Sequence, residues 1–140
     1  MGRIAHAKVV DEYRRAASAA ITAGFDGVEI HGANGYLPDQ FLSSNVDRRT
    51  DRYGGSIANR IRLVVEVVTA VAEEIRAERT GLRISPGNPN NDIVEHDTHE
   101  VYPALVEALA PLGLAYLHVM HGGDEALLRE LREALSLIHI

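Results

Sequence analysis

The chain has 140 residues, enough for one domain with a hydrophobic core. Its 46% hydrophobic and 24% charged residues are typical of a globular protein, and its net charge of -6 argues against a nucleic-acid partner. It has no cysteines, which excludes disulfides and thiolate metal sites and favours the cytoplasm. No apolar run reaches the ~18 residues that span a membrane, so we expect no membrane partner.

The first half of the chain predicts a helix, a strand and a second helix. Apolar residues at helical spacing predict a helix over residues 8–23, with Gly24 as its left-handed cap. Residues 25–31 are predicted to form a strand, and a long polar loop follows. Ser56 is a suitable N-cap for a helix over residues 57–78.

The second half repeats the same alternation. A strand over residues 81–85 is stopped by Pro86, and a helix over residues 98–112 follows with Thr98 as a cap. Residues 114–119 are predicted to form the third strand and residues 124–135 the fourth helix, capped by Asp124. This order predicts a parallel sheet with right-handed crossovers, in either a barrel or a doubly wound sheet. Periodicity alone leaves both open.

Polar residues of the three strands fall on one face, because strand side chains alternate. These are Glu29 and His31, Arg83 and Ser85, and Tyr116 and His118. In a barrel this face points inward, and active sites lie at the carboxyl ends of the strands. The pattern therefore predicts His31 and Arg83 near a common pocket. A purely structural ion pair between Glu29 and Arg83 is the alternative.

One continuous segment carries a family resemblance. Residues 23–42, Ala-Gly-Phe-Asp-Gly-Val-Glu-Ile-His-Gly-Ala-Asn-Gly-Tyr-Leu-Pro-Asp-Gln-Phe-Leu, are similar to the fourth strand and following loop of the old yellow enzyme family. The similarity extends over roughly residues 9–131 and includes Asn45, Asn59, Arg60 and residues 49–51, 53–56, 81–86 and 114–119. Members of this family are (β/α)8 TIM-barrel flavoproteins that bind FMN. They reduce activated alkenes such as enones and maleimides, and some reduce nitro compounds. NADPH or NADH reduces the flavin.

The resemblance implies roles for four residues. His31 and Asn34 match the pair that donates hydrogen bonds to the substrate's carbonyl or nitro oxygen, where negative charge develops during hydride addition. Tyr36 matches the residue that donates a proton to the α-carbon. A phenol suits this role because it keeps its proton near neutral pH and can deliver it. Arg83 matches the arginine that contacts the flavin near N1 and O2. The residues Tyr53 to Ser56 and Arg60 match strongly but are expected to be structural.

The length of the chain limits what the resemblance implies. A complete barrel needs ~250 residues, so residues 1–135 are expected to form a partial TIM-barrel FMN oxidoreductase domain of three parallel strands and four helices. They would be the central part of a longer enzyme. Residues 136–140 stay an unassigned tail, and the loop 87–91 departs from the family. The alternative is a noncatalytic partial barrel that self-associates as a homo-oligomer or needs a partner chain, because open sheet edges favour pairing.

A metal site is the remaining alternative. His96, His99, His118 and His121 form two pairs with plausible ligand spacing. No helix carries the paired histidine–glutamate motif of a zinc enzyme, and the pairs lie on different loops. Solvated loop histidines are the expectation, and no metal is assigned.

Overall fold

The structure, a computed structural model, describes residues 3–120 and 122–135. The tail 136–140 and His121, on which two of the sequence interpretations bear, lie outside the described residues. Within the described part, three strands alternate with six α-helices. Their bounds are α1 Arg3–Thr22, β1 Val28–Gly32, α2 Leu37–Leu42, α3 Ile57–Arg60, α4 Arg62–Ile75, β2 Thr80–Ile84, α5 Thr98–Leu109, β3 Tyr116–Val119 and α6 Glu125–Leu135. Short 3-10 turns lie at Ala77–Arg79, Asn90–Asp92 and Ala110–Leu112.

The three strands form one parallel sheet in the order β1-β2-β3. Ile30, Leu82 and Leu117 lie side by side across it and are almost completely buried. They belong to a hydrophobic core that includes apolar residues of α4, α5 and α6. Burial of one such side chain contributes about 1.5–3 kcal/mol. The predicted division of each strand into an apolar face toward the helices and an opposite polar face is therefore confirmed.

Three of the four helix-end predictions are confirmed. Gly24 has a φ of 98°, and the amide of Phe25 donates to the carbonyl of Ala20, which closes the end of α1. The Ser56 hydroxyl accepts from Asn59 N at 3.3 Å, and an Asp124 carboxylate oxygen accepts from Leu127 N at 3.0 Å. Thr98 is not a cap. It is the first residue of α5, and Asp97 occupies the N-cap position.

The prediction of a single helix over residues 57–78 is wrong. The helix is broken at Ile61 into the short α3 and the longer α4, and α4 ends before Arg76, whose φ is 80°. Apolar spacing cannot reveal such a break, because the buried face continues across it through Ile61, Val64 and Val68.

The interpretation of the segment after β1 as a continuous polar loop is also wrong, because that segment contains α2. Tyr36 is its N-cap, Pro38 lies in its first turn and Asp39 is the third helical residue. Proline in a first turn and an acidic residue at the third position are both typical of helix starts. These signals were present in the sequence, but the helix has only six residues.

None of the helices in the described part of the chain combines the length and hydropathy of a membrane span.

An exposed histidine joins α5 to α6. His99 Nε2 lies 2.8 Å from Asp124 Oδ2, and Nδ1 lies 3.4 Å from Glu130 Oε2. The hydrogen bond to Asp124 is the main cause that raises the pKa of His99 above 6.5. The pKa of Asp124 is lowered from 3.8, first by its bond to the amide of Leu127 and then by His99.

The pair should make stability depend on pH. A histidine whose pKa is raised in the folded state stabilises fully below its unfolded value of 6.5, and this contribution is lost as the pH rises through the folded value. The contribution of Asp124 to stability is fully present above its unfolded pKa of 3.8 and is lost as the pH falls through its lower folded pKa. We therefore expect His99→Gln to lower the thermal midpoint most between pH 3.8 and 6.5 and least at alkaline pH. His96→Gln is the control, and an effect of His99→Gln that grows with pH would contradict the assignment.

Candidate functional site

Polar side chains line the face of the sheet opposite the helices. The pairing of the strands places His31, Arg83 and His118 in one row across the sheet, and Glu29, Gly81 and Tyr116 in the neighbouring row. His31 is the last residue but one of β1, and Arg83 has the same position in β2. The prediction that His31 and Arg83 lie near each other at the carboxyl ends of their strands agrees with this register.

The loop that leaves β1 carries the next two predicted residues. Ala33 is completely buried, and Asn34 and Gly35 have φ values of 59° and 76°, so the chain turns back sharply. The turn brings the ring of Tyr36 to 5.0 Å from the ring of His31, with a tilt of 47° between them. Tyr36 is 57% exposed and has no hydrogen bond from its hydroxyl to any described residue. Its phenol is therefore available to a ligand.

The backbone of Asn34 is held from two sides. Its N–H donates to Ser85 Oγ at 2.7 Å, and its carbonyl accepts from Asn91 Nδ2 at 2.6 Å. The side-chain oxygen is buried without a hydrogen-bond partner. A buried amide oxygen without a partner costs about 1–3 kcal/mol. A fixed backbone with an unsatisfied side-chain amide is typical of a residue that serves a ligand.

Gly35 is required by the packing of the same turn. A Cβ atom there would lie 2.5 Å from the carbonyl oxygen of Asn90 and 2.6 Å from Cβ of Asn91. Any side chain would push the loop after β2 away from the turn, in addition to the strain of a positive φ. The loop 87–91, which departs from the family at the level of sequence, is therefore in direct contact with the turn that carries Asn34.

Glu29 does not form the structural ion pair with Arg83 that was the alternative interpretation. Glu29 instead contacts His118, with 3.1 Å between Oε2 and Nδ1. The ring of Tyr116 lies over Gly81, where a Cβ would be 2.4 Å from the ring. Burial, followed by the influence of the Glu29 side chain, raises the pKa of Tyr116. The register accounts for the absence of the pair, because Glu29 is level with Tyr116 and not with Arg83.

Arg83 has few protein partners. Its Nη2 lies 3.0 Å from the sulfur of Met120, a weak acceptor, and its Nε is buried without a partner. A guanidinium without a carboxylate partner can donate to a ligand that carries electronegative atoms. This fits the contact with one polar edge of a flavin that the resemblance implies. No other residue of the chain was predicted to contact the cofactor.

Three acidic or phenolic residues beneath the turn were missed by sequence reasoning. They are Asp39 on α2, Glu95 in the loop between β2 and α5, and Tyr102 on α5. Asp39 and Tyr102 are both 0% exposed. Burial is the main cause that raises the pKa values of Asp39, Glu95 and Tyr102. A signal for Asp39 was its position as the third residue of a helix after glycine and tyrosine, but α2 itself was not predicted.

The histidines that could have formed a metal site do not converge. His99 is paired with α6, and His118 lies on the polar face of the sheet beside Glu29. Among residues 3–120 and 122–135 there is no group of three side chains that could hold a metal ion. His121, the fourth member of the predicted set, lies outside these ranges.

Comparison with protein families gives one match over nearly the whole chain. The sequence profile described as NADH:flavin oxidoreductase / NADH oxidase family matches residues 5–129. Among curated proteins, the chain is 46% identical over 134 residues to the flavin oxidoreductase hxnT of Emericella nidulans, covering 93% of this chain and 34% of that protein. It is 51% identical over 116 residues to a probable flavin mononucleotide-dependent alkene reductase of Leishmania infantum, covering 83% and 32%.

Solved structures agree with the sequence match. Morphinone reductase in complex with tetrahydroNAD superposes with a TM-score of 0.90 at 40% identity, over 96% of this chain and 38% of that one. The old yellow enzyme homologue from Zymomonas mobilis superposes with a TM-score of 0.82 at 38% identity, over 85% and 34%. The fold is therefore part of a (β/α)8 barrel, and the alternative of a doubly wound sheet is excluded. The chain spans about a third of the length of these relatives.

Proposed function

Because the chain belongs to the NADH:flavin oxidoreductase / NADH oxidase family, we propose that the protein reduces activated carbon–carbon double bonds with FMN as cofactor and NADPH or NADH as reductant. The substrates would be enones and maleimides, with nitro compounds as a further class. The observation that carries the proposal is the grouping of His31, Asn34 and Tyr36 at the carboxyl end of β1, with Arg83 in register beside His31. The alkene reductase of Leishmania infantum supports the same reaction class.

Each of these residues has a defined task. Reduced FMN, when bound, supplies a hydride to the β-carbon of the substrate. His31 and Asn34 donate hydrogen bonds to the substrate oxygen, which gains negative charge as the hydride arrives. Tyr36 then gives its proton to the α-carbon, so that hydride and proton together saturate the double bond. Arg83 supports binding of the flavin by a fixed positive charge near its polar edge.

The polar face of the sheet also suits this chemistry. His31 and Arg83 are only partly exposed, and the row that they form ends where the turn of Asn34 begins. A substrate oxygen placed above that turn would meet donors from both the strand and the loop. The cytoplasmic location and the homo-oligomer stay predictions from the sequence.

Flavin binding is the direct test. We expect the purified chain, mixed with FMN and desalted, to keep a flavin absorption spectrum. We expect Arg83→Ala to raise the dissociation constant for FMN by about 10-fold or more, because a hydrogen bond from a charged group is lost. Arg79→Ala is a matched control, since Arg79 lies in the exposed turn before β2.

The opposite result has a clear meaning. A colourless wild-type chain, with no change in flavin fluorescence on titration, would contradict flavin-dependent activity for this chain. It would favour the alternative of a noncatalytic partial barrel that pairs through its open strand edges. Equal binding by the wild type and Arg83→Ala would contradict the role of Arg83 alone.

A further inference from the structure

A buried network of acidic and phenolic groups lies directly beneath the turn of Asn34. Asp39 is completely buried, and its Oδ1 lies 3.4 Å from the hydroxyl of Tyr102. The same hydroxyl donates to Glu95 Oε1 at 2.8 Å, and Glu95 Oε2 accepts from the amide of Gly87 at 2.8 Å. A buried carboxyl group is costly unless hydrogen bonds compensate it, so its retention in the core needs a reason.

The other oxygen of Asp39 points to the backbone that carries the donors. Oδ2 accepts the N–H of Gly35 at 2.8 Å and lies 3.5 Å from Ser85 Oγ. Ser85 Oγ in turn accepts the N–H of Asn34 at 2.7 Å. Two consecutive backbone amides, both in residues with left-handed φ values, are therefore linked to Asp39 by hydrogen bonds. Gly35 donates to Asp39 directly, and Asn34 is linked to it through Ser85.

This arrangement fixes an otherwise unfavourable turn. A non-glycine residue with positive φ, such as Asn34, persists where its surroundings determine its conformation. Asp39 also lies in the first turn of α2, three residues after Tyr36, so the same side chain links Tyr36's helix to the turn of Asn34. The side chain of Gln40 adds a bond to the carbonyl of Gly35 at 2.8 Å.

We propose that Asp39 is the positioning residue that holds Asn34 and Tyr36 at the orientation needed for substrate reduction, and that Tyr102 and Glu95 fix the orientation of Asp39. The proposal rests on the function proposed above for Asn34 and Tyr36. Asp39 is not a catalytic residue, because it reaches the site only through backbone amides and Ser85.

Two carboxyl groups of the network share the hydroxyl of Tyr102 as a hydrogen-bond donor. Tyr102 has a single hydroxyl proton between two carboxyl groups, and burial is the first cause that raises the pKa of each carboxyl. The groups that face Asp39 are the Gly35 amide, Tyr102, Ser85 and, at longer range, His31. Asparagine at position 39 resembles a protonated aspartate and keeps a carbonyl oxygen that can accept from Gly35. It is therefore the conservative replacement.

The test combines a structural and a kinetic measurement on the full chain. Amide hydrogen exchange, followed by NMR, reports the hydrogen bond of Gly35 without flavin or substrate. We expect Asp39→Leu to speed the exchange of the Gly35 amide by about 10-fold or more, and Asp39→Asn to stay near the wild type. Leucine has the same branching at Cγ as aspartate, cannot accept a hydrogen bond and leaves no cavity. Tyr13→Phe is the control, since Tyr13 is a partly buried tyrosine packed against the core, and burial alone, with no hydrogen bond, raises its pKa.

The kinetic measurement separates positioning from general structure. With FMN bound, Asp39→Leu should lower kcat for an enone by about 10²-fold, as expected for a misplaced reacting group. Flavin affinity should stay unchanged, and Asp39→Asn should restore most of kcat. Tyr102→Phe should give a smaller loss in the same direction.

The outcomes distinguish this proposal from the function on which it rests. Gly35 exchange at the wild-type rate in Asp39→Leu would overturn the positioning role, whatever the activity. Faster exchange together with wild-type kcat would also overturn it. If the wild type reduces no alkene, the proposed function fails, and the exchange data still decide whether Asp39 holds the turn. If Asp39→Leu does not fold, Ser85→Ala cuts the link to Asn34 and is judged by exchange of the Asn34 amide on the same criterion.

Discussion

Replacement of His31 by alanine should lower kcat for enone reduction by about 10²- to 10³-fold, which is the usual effect of removing one preorganised donor to a developing oxyanion. Asn34→Ala should have a loss of similar size. His31 lies on a strand and Asn34 on a turn whose backbone is fixed by Ser85 and Asn91. Each donor is therefore positioned independently of the other, and neither can move to replace a missing partner.

The measurement needs controls for flavin content and for folding. His96→Ala changes an exposed histidine in the loop before α5 and should leave kcat unchanged. Electron transfer to ferricyanide, which has no carbonyl oxygen to stabilise, should continue in His31→Ala at the wild-type rate. Equal losses with the enone and with ferricyanide would show that His31 acts on the flavin or on folding and would contradict its role as a substrate donor.

Most of the framework could be predicted because its elements have long, regular patterns. The strands of this sheet alternate clearly between apolar and polar residues, and Ser56 and Asp124 are strong helix caps. Their order predicts parallel pairing. The pattern left the barrel and the doubly wound sheet as alternatives, since both satisfy the same local rules, and the likeness to morphinone reductase resolves this.

Errors occurred where tertiary contacts override local preference. Ile61 breaks a helix without breaking its buried face, and α2 is too short for a periodicity signal. An ion pair between Glu29 and Arg83 was the structural alternative, because both residues lie on the polar face of the sheet. The register, which sequence patterns cannot give, places Glu29 beside Tyr116 and His118 instead.

The candidate site residues were predicted from one local motif, but the residues that hold them in place lie far away in the sequence. Spacing suggests that His31, Asn34 and Tyr36 lie at the end of one strand and in the loop after it, but it gives no indication that Tyr102 and Glu95 lie beneath them. Asp39 and Tyr102 are separated by 63 residues and meet only in the folded chain, where a side chain of α2 contacts one of α5. The sequence alone does not reveal the contact between Tyr102 and Asp39, so it cannot identify Asp39 as a buried and hydrogen-bonded residue.

The largest effect on stability is expected at a second buried charge, Arg60. Its side chain is 4% exposed, donates to the carbonyl of Leu42 at 2.5 Å and pairs with Asp97, which is 25% exposed. It therefore joins the end of α2 to the N-cap of α5. The expectation from the sequence that Arg60 is structural agrees with these contacts.

The two partners of this pair should not be equivalent. Asp97→Asn leaves the deeply buried guanidinium without its counter-charge, and a buried charge that loses its partner costs about 3–5 kcal/mol of unfolding free energy. Arg60→Met leaves a carboxylate that can still reach water, so a smaller loss is expected. Asparagine keeps the N-cap preference at position 97, which removes helix capping as an explanation.

A double-mutant cycle by urea denaturation tests this order. The double variant, Arg60→Met with Asp97→Asn, should be more stable than Asp97→Asn alone, because no buried charge is left unpaired. Glu78→Gln removes the partner of the exposed Arg76 and should leave the urea midpoint nearly unchanged. If Arg60→Met proves more harmful than Asp97→Asn, the bond from Arg60 to the carbonyl of Leu42, and thus the attachment of α2, contributes more than the ion pair. The helix α2, for which Tyr36 is the N-cap, would then depend on Arg60 for its position.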